Sequence, residues 1–338
     1  MTSDALIGHQ AAYRLLADLF DRGTPSHAYL LAGPRSVGKT TVVRQLLKYL
    51  LCLKSKSKEH PGDACQACRQ IEAGTHPDVW WLKRAEGKQD ITIDQIRQLK
   101  GFTNLGSLAG GLRVVVMEAA EDLNPEAANA LLKVLEEPLG RTVFFLISHQ
   151  PSRLLPTVRS RCFVIHFGFT PLDIIKEALV SRYKLPPAQA TDLARLASGR
   201  PGVALALACS PELGQEMLTQ AKGFLSLLGH NPWVAMQQLI ASTLKQSDAA
   251  HNKEVEKVND YLKVWLEVLR DIVLLKLDLP GLVRYQALEP DMNKLSSGFS
   301  LLKLLDLSQQ LEQARRKLEA NANIRLTLEC LTINFSYL

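Results

Sequence analysis

A chain of 338 residues, 46% hydrophobic and 22% charged, can bury a large core and divide into two or three domains, which excludes a disordered chain. Lys and Arg total 40 against 34 Asp and Glu, an excess too small to mark a polyanion-binding surface by itself. Asp4 falls early in an N-terminal stretch without the basic start and apolar run of a secretory signal, and Glu267, Arg270, Asp271 and Lys276 interrupt the apolar stretch from Val264 to Leu279. The expectation is therefore a cytoplasmic protein that does not engage a membrane.

From the N-terminus to about residue 167, short β-rich apolar runs alternate with helical patterns, the signature of an α/β domain with a mainly parallel sheet. The predicted strands are Ala28 to Ala32, Val79 to Leu82, Arg113 to Met117, Val143 to Ile147 and Cys162 to His166. Thr92 and Gln95 form a capping-box pattern ahead of Ile96, Leu99 and Phe102 at helical spacing. Asn124 is the expected N-cap of a further helix, with Pro125 at its first position, Ala128, Leu131, Leu132 and Leu135 on one face, and Pro138 ending it. After Thr170 and Pro171 the β signal disappears, and turns are expected at Leu185 to Pro187 and Ser198 to Gly202. A long apolar stripe of Val258, Tyr261, Leu262, Trp265, Leu269, Ile272 and Leu275 predicts a helical-bundle core. Lys54 to Lys58 reads as a solvated loop.

Gly33-Pro-Arg-Ser-Val-Gly38-Lys39-Thr40 fits G-x-x-x-x-G-K-[ST], between a predicted strand and a predicted helix. In that context the loop N–H groups and helix N-terminus form an anion-binding hollow, Lys39 reaches the β and γ phosphates, and Thr40 can ligate Mg²⁺. Thr41 follows it and joins the candidate nucleotide set. The spacing therefore predicts ATP or ADP binding with Mg²⁺. A hydrolase of this class also needs a carboxylate at the end of a second strand, followed by a glutamate that polarises water. Here Val114 to Met117 runs into Glu118 and Ala119. Glu118 can reach the metal shell through water, but Ala119 has no proton acceptor. Loss of a positioned base typically removes ~10²–10⁴-fold in rate, so hydrolysis should be slow or absent unless Glu121 or Asp122 substitutes.

Asn129-Ala-Leu-Leu-Lys-Val-Leu-Glu-Glu-Pro138, Phe144-Phe-Leu-Ile-Ser148 and Leu155-Pro-Thr-Val-Arg-Ser-Arg-Cys162 together resemble the clamp-loader branch of AAA+ proteins. Ser160-Arg161-Cys162 is the most telling element, and Glu118-Ala119 in place of Asp-Glu resembles a non-motor subunit. Ile7-Gly8-His9-Gln10 is similar to the family's adenine-side segment, and Asn321-Ala-Asn323 with Leu326 to Glu329 to its collar helix. The resemblance implies an AAA+ P-loop module over 1–168, a helical lid over 169–210 and an all-helical collar over 211–338. It implies a stator subunit of the sliding-clamp loader of the DNA polymerase III holoenzyme. Its partners would be the motor subunits and delta in a hetero-pentameric ring, the sliding clamp, and primed DNA reached through the complex. Ser148 is counted with the nucleotide set, and Arg161 would act in trans as an arginine finger, the alternative being a structural salt bridge within its own domain. Gly202 stands where motor subunits carry a phosphate-sensing arginine. The alternatives are an active motor subunit of the same loader, which Ala119 and Gly202 oppose, and an independent P-loop enzyme, which Ala119 and the triplet oppose.

Of six cysteines, Cys52, Cys65 and Cys68 are clustered, which in a cytosolic chain favours metal over disulfides. Related subunits hold structural zinc with four cysteines in this insertion, near residues 52–68. This sequence has Gly62 at the remaining position, and His60 is the favoured fourth ligand with Asp63 the alternative, since Zn²⁺ accepts imidazole and carboxylate.

Overall fold

The computed structural model describes residues 6–53, 65–85, 88, 90–104, 111–136, 141–229, 251–320 and 322–336. Two compact units divide it, Met1–Leu205 and Ala206–Leu338. The boundary falls inside a helix, Pro201–Cys209.

The first unit is built on five parallel strands, β1 (Ala28–Ala32), β2 (Val79–Leu82), β3 (Arg113–Met117), β4 (Thr142–Ser148) and β5 (Phe163–His166), in the order β2-β3-β4-β1-β5. The register pairs Ala32 with Ser148 on one side and with His166 on the other. Side chains alternate across a strand, so each strand divides between two cores. Tyr29, Leu31, Val114, Val116, Phe145 and Ile147 pack into one. Leu30, Val115, Met117, Phe144 and Leu146 enter the other. With helices over both faces, the strands read as continuous apolar runs.

The helices of this unit are α1 (Gln10–Asp21), α2 (Lys39–Leu51), α3 (Gln66–Ala73), α4 (Ile93–Asn104), α5 (Pro125–Glu136) and α6 (Pro156–Arg159), followed by α7 (Leu172–Tyr183), α8 (Pro187–Ala197) and α9 (Pro201–Cys209). At the capping box, Thr92 N–H donates to Gln95 Oε1 at 3.1 Å. Ala127 N–H donates to Asn124 Oδ1 at 2.7 Å, which starts α5 where the sequence predicts. Pro138, expected to end α5, and the Lys54 to Lys58 loop lie outside the described residues.

Several boundaries differ from the sequence reading: β4 runs one residue further at each end than Val143 to Ile147, and Pro187, placed in a turn, opens α8. Cys162 belongs to the turn before β5, because its N–H donates to Arg159 O. Gly202 is the second residue of α9 rather than part of the preceding turn, since Pro201, with no N–H to lose, opens the helix.

In the second unit the predicted stripe lies on the helix His251–Lys276. Val258, Leu262, Trp265, Leu269 and Ile272 are buried, and Trp265 stacks on Phe224 at 4.8 Å between ring centroids. Fully buried Asp271 accepts the backbone N–H groups of Arg284 and Tyr285 at 2.8 and 2.9 Å. Glu267 pairs with Arg284. These bonds fix the chain segment that leaves this helix. Asn323 caps Ile324–Ser336 by accepting the Leu326 N–H at 3.1 Å. No helix among the described residues is long and apolar enough to cross a membrane.

Candidate nucleotide and trans-acting sites

The strand order brings the C-terminal ends of β1, β3 and β4 to one edge, where ligands bind in open parallel sheets. The phosphate loop leaves β1 there. Gly33 N–H donates to Ser148 O at 3.1 Å, and Phe167 N–H to Ala32 O at 2.7 Å, so the loop is anchored between the ends of β4 and β5. A side chain at Gly33 would put its Cβ 2.1 Å from Phe167 O. The sequence therefore needs glycine here for close backbone approach as well as for a phosphate hollow.

Lys39, in the first turn of α2, is buried and donates to Gly33 O and Pro34 O, both at 2.5 Å. Thr40 and Thr41 occupy the same turn behind Gly38. Burial lowers the Lys39 pKa, Glu121 opposes that and Arg35 adds to it, leaving it at about 8. His9 packs tilted against Phe167, with ring centroids 4.8 Å apart. Its pKa is lowered by burial and by the Lys39 charge, which sets His9 beside the phosphate loop.

Glu118 and Glu121 part company. Glu118 pairs with Lys83 at 3.4 Å, just past β2 and on the side of β3 away from β1. Glu121 turns the other way and pairs with His149, which follows Ser148 at the end of β4. It also accepts the His149 backbone N–H at 3.2 Å. Its burial would raise the carboxyl pKa, but hydrogen bonding from His149, with Ser148 nearby, outweighs this and brings it to about 2. Asp122 is instead raised, by burial first and by Glu121 second. The acidic group electrostatically linked to Lys39 is thus Glu121, and His149 is a partner that sequence reasoning missed. Its only signal was its place directly after Ser148.

The N-terminal end of α9 meets the loop through backbone. Gly202 N–H donates to Ser36 O at 2.9 Å. A Cβ there would stand 3.0 Å from Ser36 O and 3.1 Å from Ser36 Cβ. A side chain here would require Ser36 or α9 to give by a few tenths of an ångström.

Arg161 follows α6, and its contacts are with α5 and α6. Nη1 donates to Thr157 O at 2.9 Å, and Nη2 to Glu136 Oε1 at 2.5 Å. Its side chain stays 35% exposed. Cys162 Sγ donates to Val158 O at 3.3 Å and packs at the edge of the core, which holds the triplet down.

Cys52, Cys65 and Cys68 are buried free thiols, and their sulfurs all lie within 4.8 Å of one another. Burial works against ionisation of Cys65, but hydrogen bonds from the backbone at Cys68 and Leu53 and from the two neighbouring thiols bring its pKa to about 7. Three converging sulfurs fit three corners of a tetrahedral zinc site. His60, Gly62 and Asp63 lie outside the described residues.

The family model described as "DNA polymerase III, delta subunit" matches residues 8–170. DNA polymerase III subunit delta' of Escherichia coli (strain K12) is 32% identical over 260 residues, covering 73% of this chain and 77% of that protein. This chain belongs to the DNA polymerase III delta-prime family. Subunit delta' of Pseudomonas aeruginosa is 48% identical over 148 residues, 44% of this chain and 45% of that protein. That alignment spans under half of the relative's length. Among solved structures, a DNA polymerase III gamma subunit-related protein from Thermotoga maritima aligns over 96% of this chain and 98% of that chain, at 19% identity and a TM-score of 0.48. Within this delta-prime family member, the phosphate loop, the three cysteines and Arg161 all fall inside the matched residues 8–170.

Proposed function

We propose that this chain is a delta-prime-type stator subunit of the DNA polymerase III sliding-clamp loader, acting in the cytoplasm with the motor subunits and delta. It binds ATP or ADP with Mg²⁺ at the Gly33 to Thr40 loop, turns it over slowly or not at all, and supplies Arg161 to the nucleotide of a neighbouring motor subunit. The carrying observation is an intact phosphate loop in a family member whose sequence has Ala119 where the resemblance expects the water-activating glutamate. Glu121 is a poor replacement. A general base works best with a pKa near the operating pH, whereas Glu121, held at about 2 and already engaged by His149, has little tendency to take a proton.

Arg161 supports the trans role because it stands partly exposed in the Ser160-Arg161-Cys162 triplet and bonds to Thr157 O and Glu136 rather than to the phosphate loop. A guanidinium placed against a γ-phosphate stabilises charge spreading over its oxygens, and such fingers are worth ~10³–10⁵ in rate in other P-loop systems. The five-subunit ring, the clamp and primed DNA as partners belong to the same proposal, as do the lid over 169–210 and the collar over 211–338. Zinc in the Cys52, Cys65 and Cys68 cluster, with His60 or Asp63 completing it, would fold the insertion rather than take part in chemistry.

The test is Arg161→Ala in a complex reconstituted from the motor subunits, delta, the clamp and primed DNA. The variant should fold and bind nucleotide like the parent, while ATP turnover and clamp loading by the complex fall. Normal assembly with undiminished loading would remove the role given to Arg161.

A further inference from the structure

We infer that Glu136 is a positioning residue for Arg161, holding its guanidinium in the orientation it presents to a neighbour's phosphate. The inference rests on the reading of Arg161 as a trans-acting finger and names the group that makes it one. Arg161 emerges after the short helix α6 on a flexible stem, and an unrestrained arginine side chain samples many rotamers. Two bonds remove that freedom. Nη1 is held by Thr157 O at 2.9 Å, and Nη2 by Glu136 Oε1 at 2.5 Å. Contacts to both terminal nitrogens fix the plane of the fork, and a guanidinium has more N–H donors than these bonds use, so donors remain for an incoming anion.

The base under Glu136 is rigid. It is the last residue of α5, whose Ala127, Ala128, Leu131, Val134 and Leu135 are buried. Val158 of α6 is buried in the same core cluster as Leu131, Val134 and Leu135. Local helix chemistry does not account for this carboxylate. The C-terminal end of a helix carries partial negative charge, where an acid is unfavourable and a cation preferred. An acid there is unfavourable until Arg161, 25 residues later in sequence, neutralises it. Pairing across α5 and α6 explains both why an acid is tolerated at this helix end and why the finger does not sample the surrounding solvent freely.

Because both side chains are partly exposed, at 35% and 49%, the pair is screened and its effect is modest. Turnover should change by about 1.4- to 5-fold, the fold-change to which the ~0.2–1 kcal/mol of exposed pairs converts. In the reconstituted complex, Glu136→Ala should lower kcat for ATP hydrolysis by that amount, leaving KM for ATP, co-migration with the other subunits and the circular dichroism spectrum unchanged. Glu136→Gln, which keeps an acceptor oxygen, should recover part of the loss. Added to Arg161→Ala, the Glu136→Ala change should do nothing more, since the group it positions is gone. Wild-type or faster turnover by Glu136→Ala, or a further loss in the double variant, would overturn the inference while a slow Arg161→Ala left the finger intact. Wild-type turnover by Arg161→Ala would remove the finger and this inference together.

Discussion

Burial takes the pKa of Lys39 from 10.5 down to about 8, against the opposing pull of Glu121. The sign follows from which form binds phosphate. Below pH 8 the free protein presents an ammonium to the anion, and above it the free protein is mostly neutral, so binding must first recover a proton. The competent fraction at pH 9 is about one tenth, and apparent affinity scales with that fraction. Isothermal titration with ADP and Mg²⁺ should therefore show affinity falling about tenfold between pH 7 and pH 9, and Lys39→Ala should show no binding at either. Lys39 was legible in the sequence because the loop pattern fixes its place six residues after Gly33. The partners that tune the site were not. His149 meets Glu121 across 28 residues and Glu136 meets Arg161 across 25, and no spacing rule links side chains that only the sheet order and the packing of α5 on α6 bring together.

The parallel strands were legible almost residue for residue, since runs such as Arg113-Val-Val-Val-Met117 are apolar on both faces and bounded by polar turns. Misplaced ends have local causes. Cys162 was read into β5 from its apolar character, yet a backbone bond to Arg159 closes a turn there. Gly202 was read as a turn residue, whereas it lies in α9, whose backbone there presses on Ser36. Gly202→Ala should disturb that contact, because the added Cβ falls 3.0 Å from a backbone oxygen. We expect a loss of about 1–2 kcal/mol, in the range for overpacking, read as a lower urea midpoint with unchanged slope. The cysteine cluster makes a separate prediction. Elemental analysis of protein purified without chelator should find one zinc per chain, Cys68→Ser should lose it, and stripping the metal should lower the melting temperature, since binding and folding of a small site are linked.

The division into Met1–Leu205 and Ala206–Leu338 sets the sheet, the phosphate loop and Arg161 in one unit and the long apolar helix His251–Lys276 in the other. The α/β character of the first was readable from alternating periods along the chain, and the helical character of the second from its 3.6-residue stripe. The lid and collar boundaries rested on resemblance, because composition barely changes across a helical junction such as α9. On the proposed reading, the subunit holds a nucleotide it does not consume and acts on a site it does not own. Steady-state ATP hydrolysis, measured for the isolated chain, for the motor subunits with delta, clamp and primed DNA, and for all of them together, tests that claim most directly. The account predicts turnover far below ~1 per second for the chain alone, the low end of ordinary enzymes, and a marked rise when it joins the others. Hydrolysis by the isolated chain at ~1 per second or faster, or no change when it is added to the complex, would contradict it.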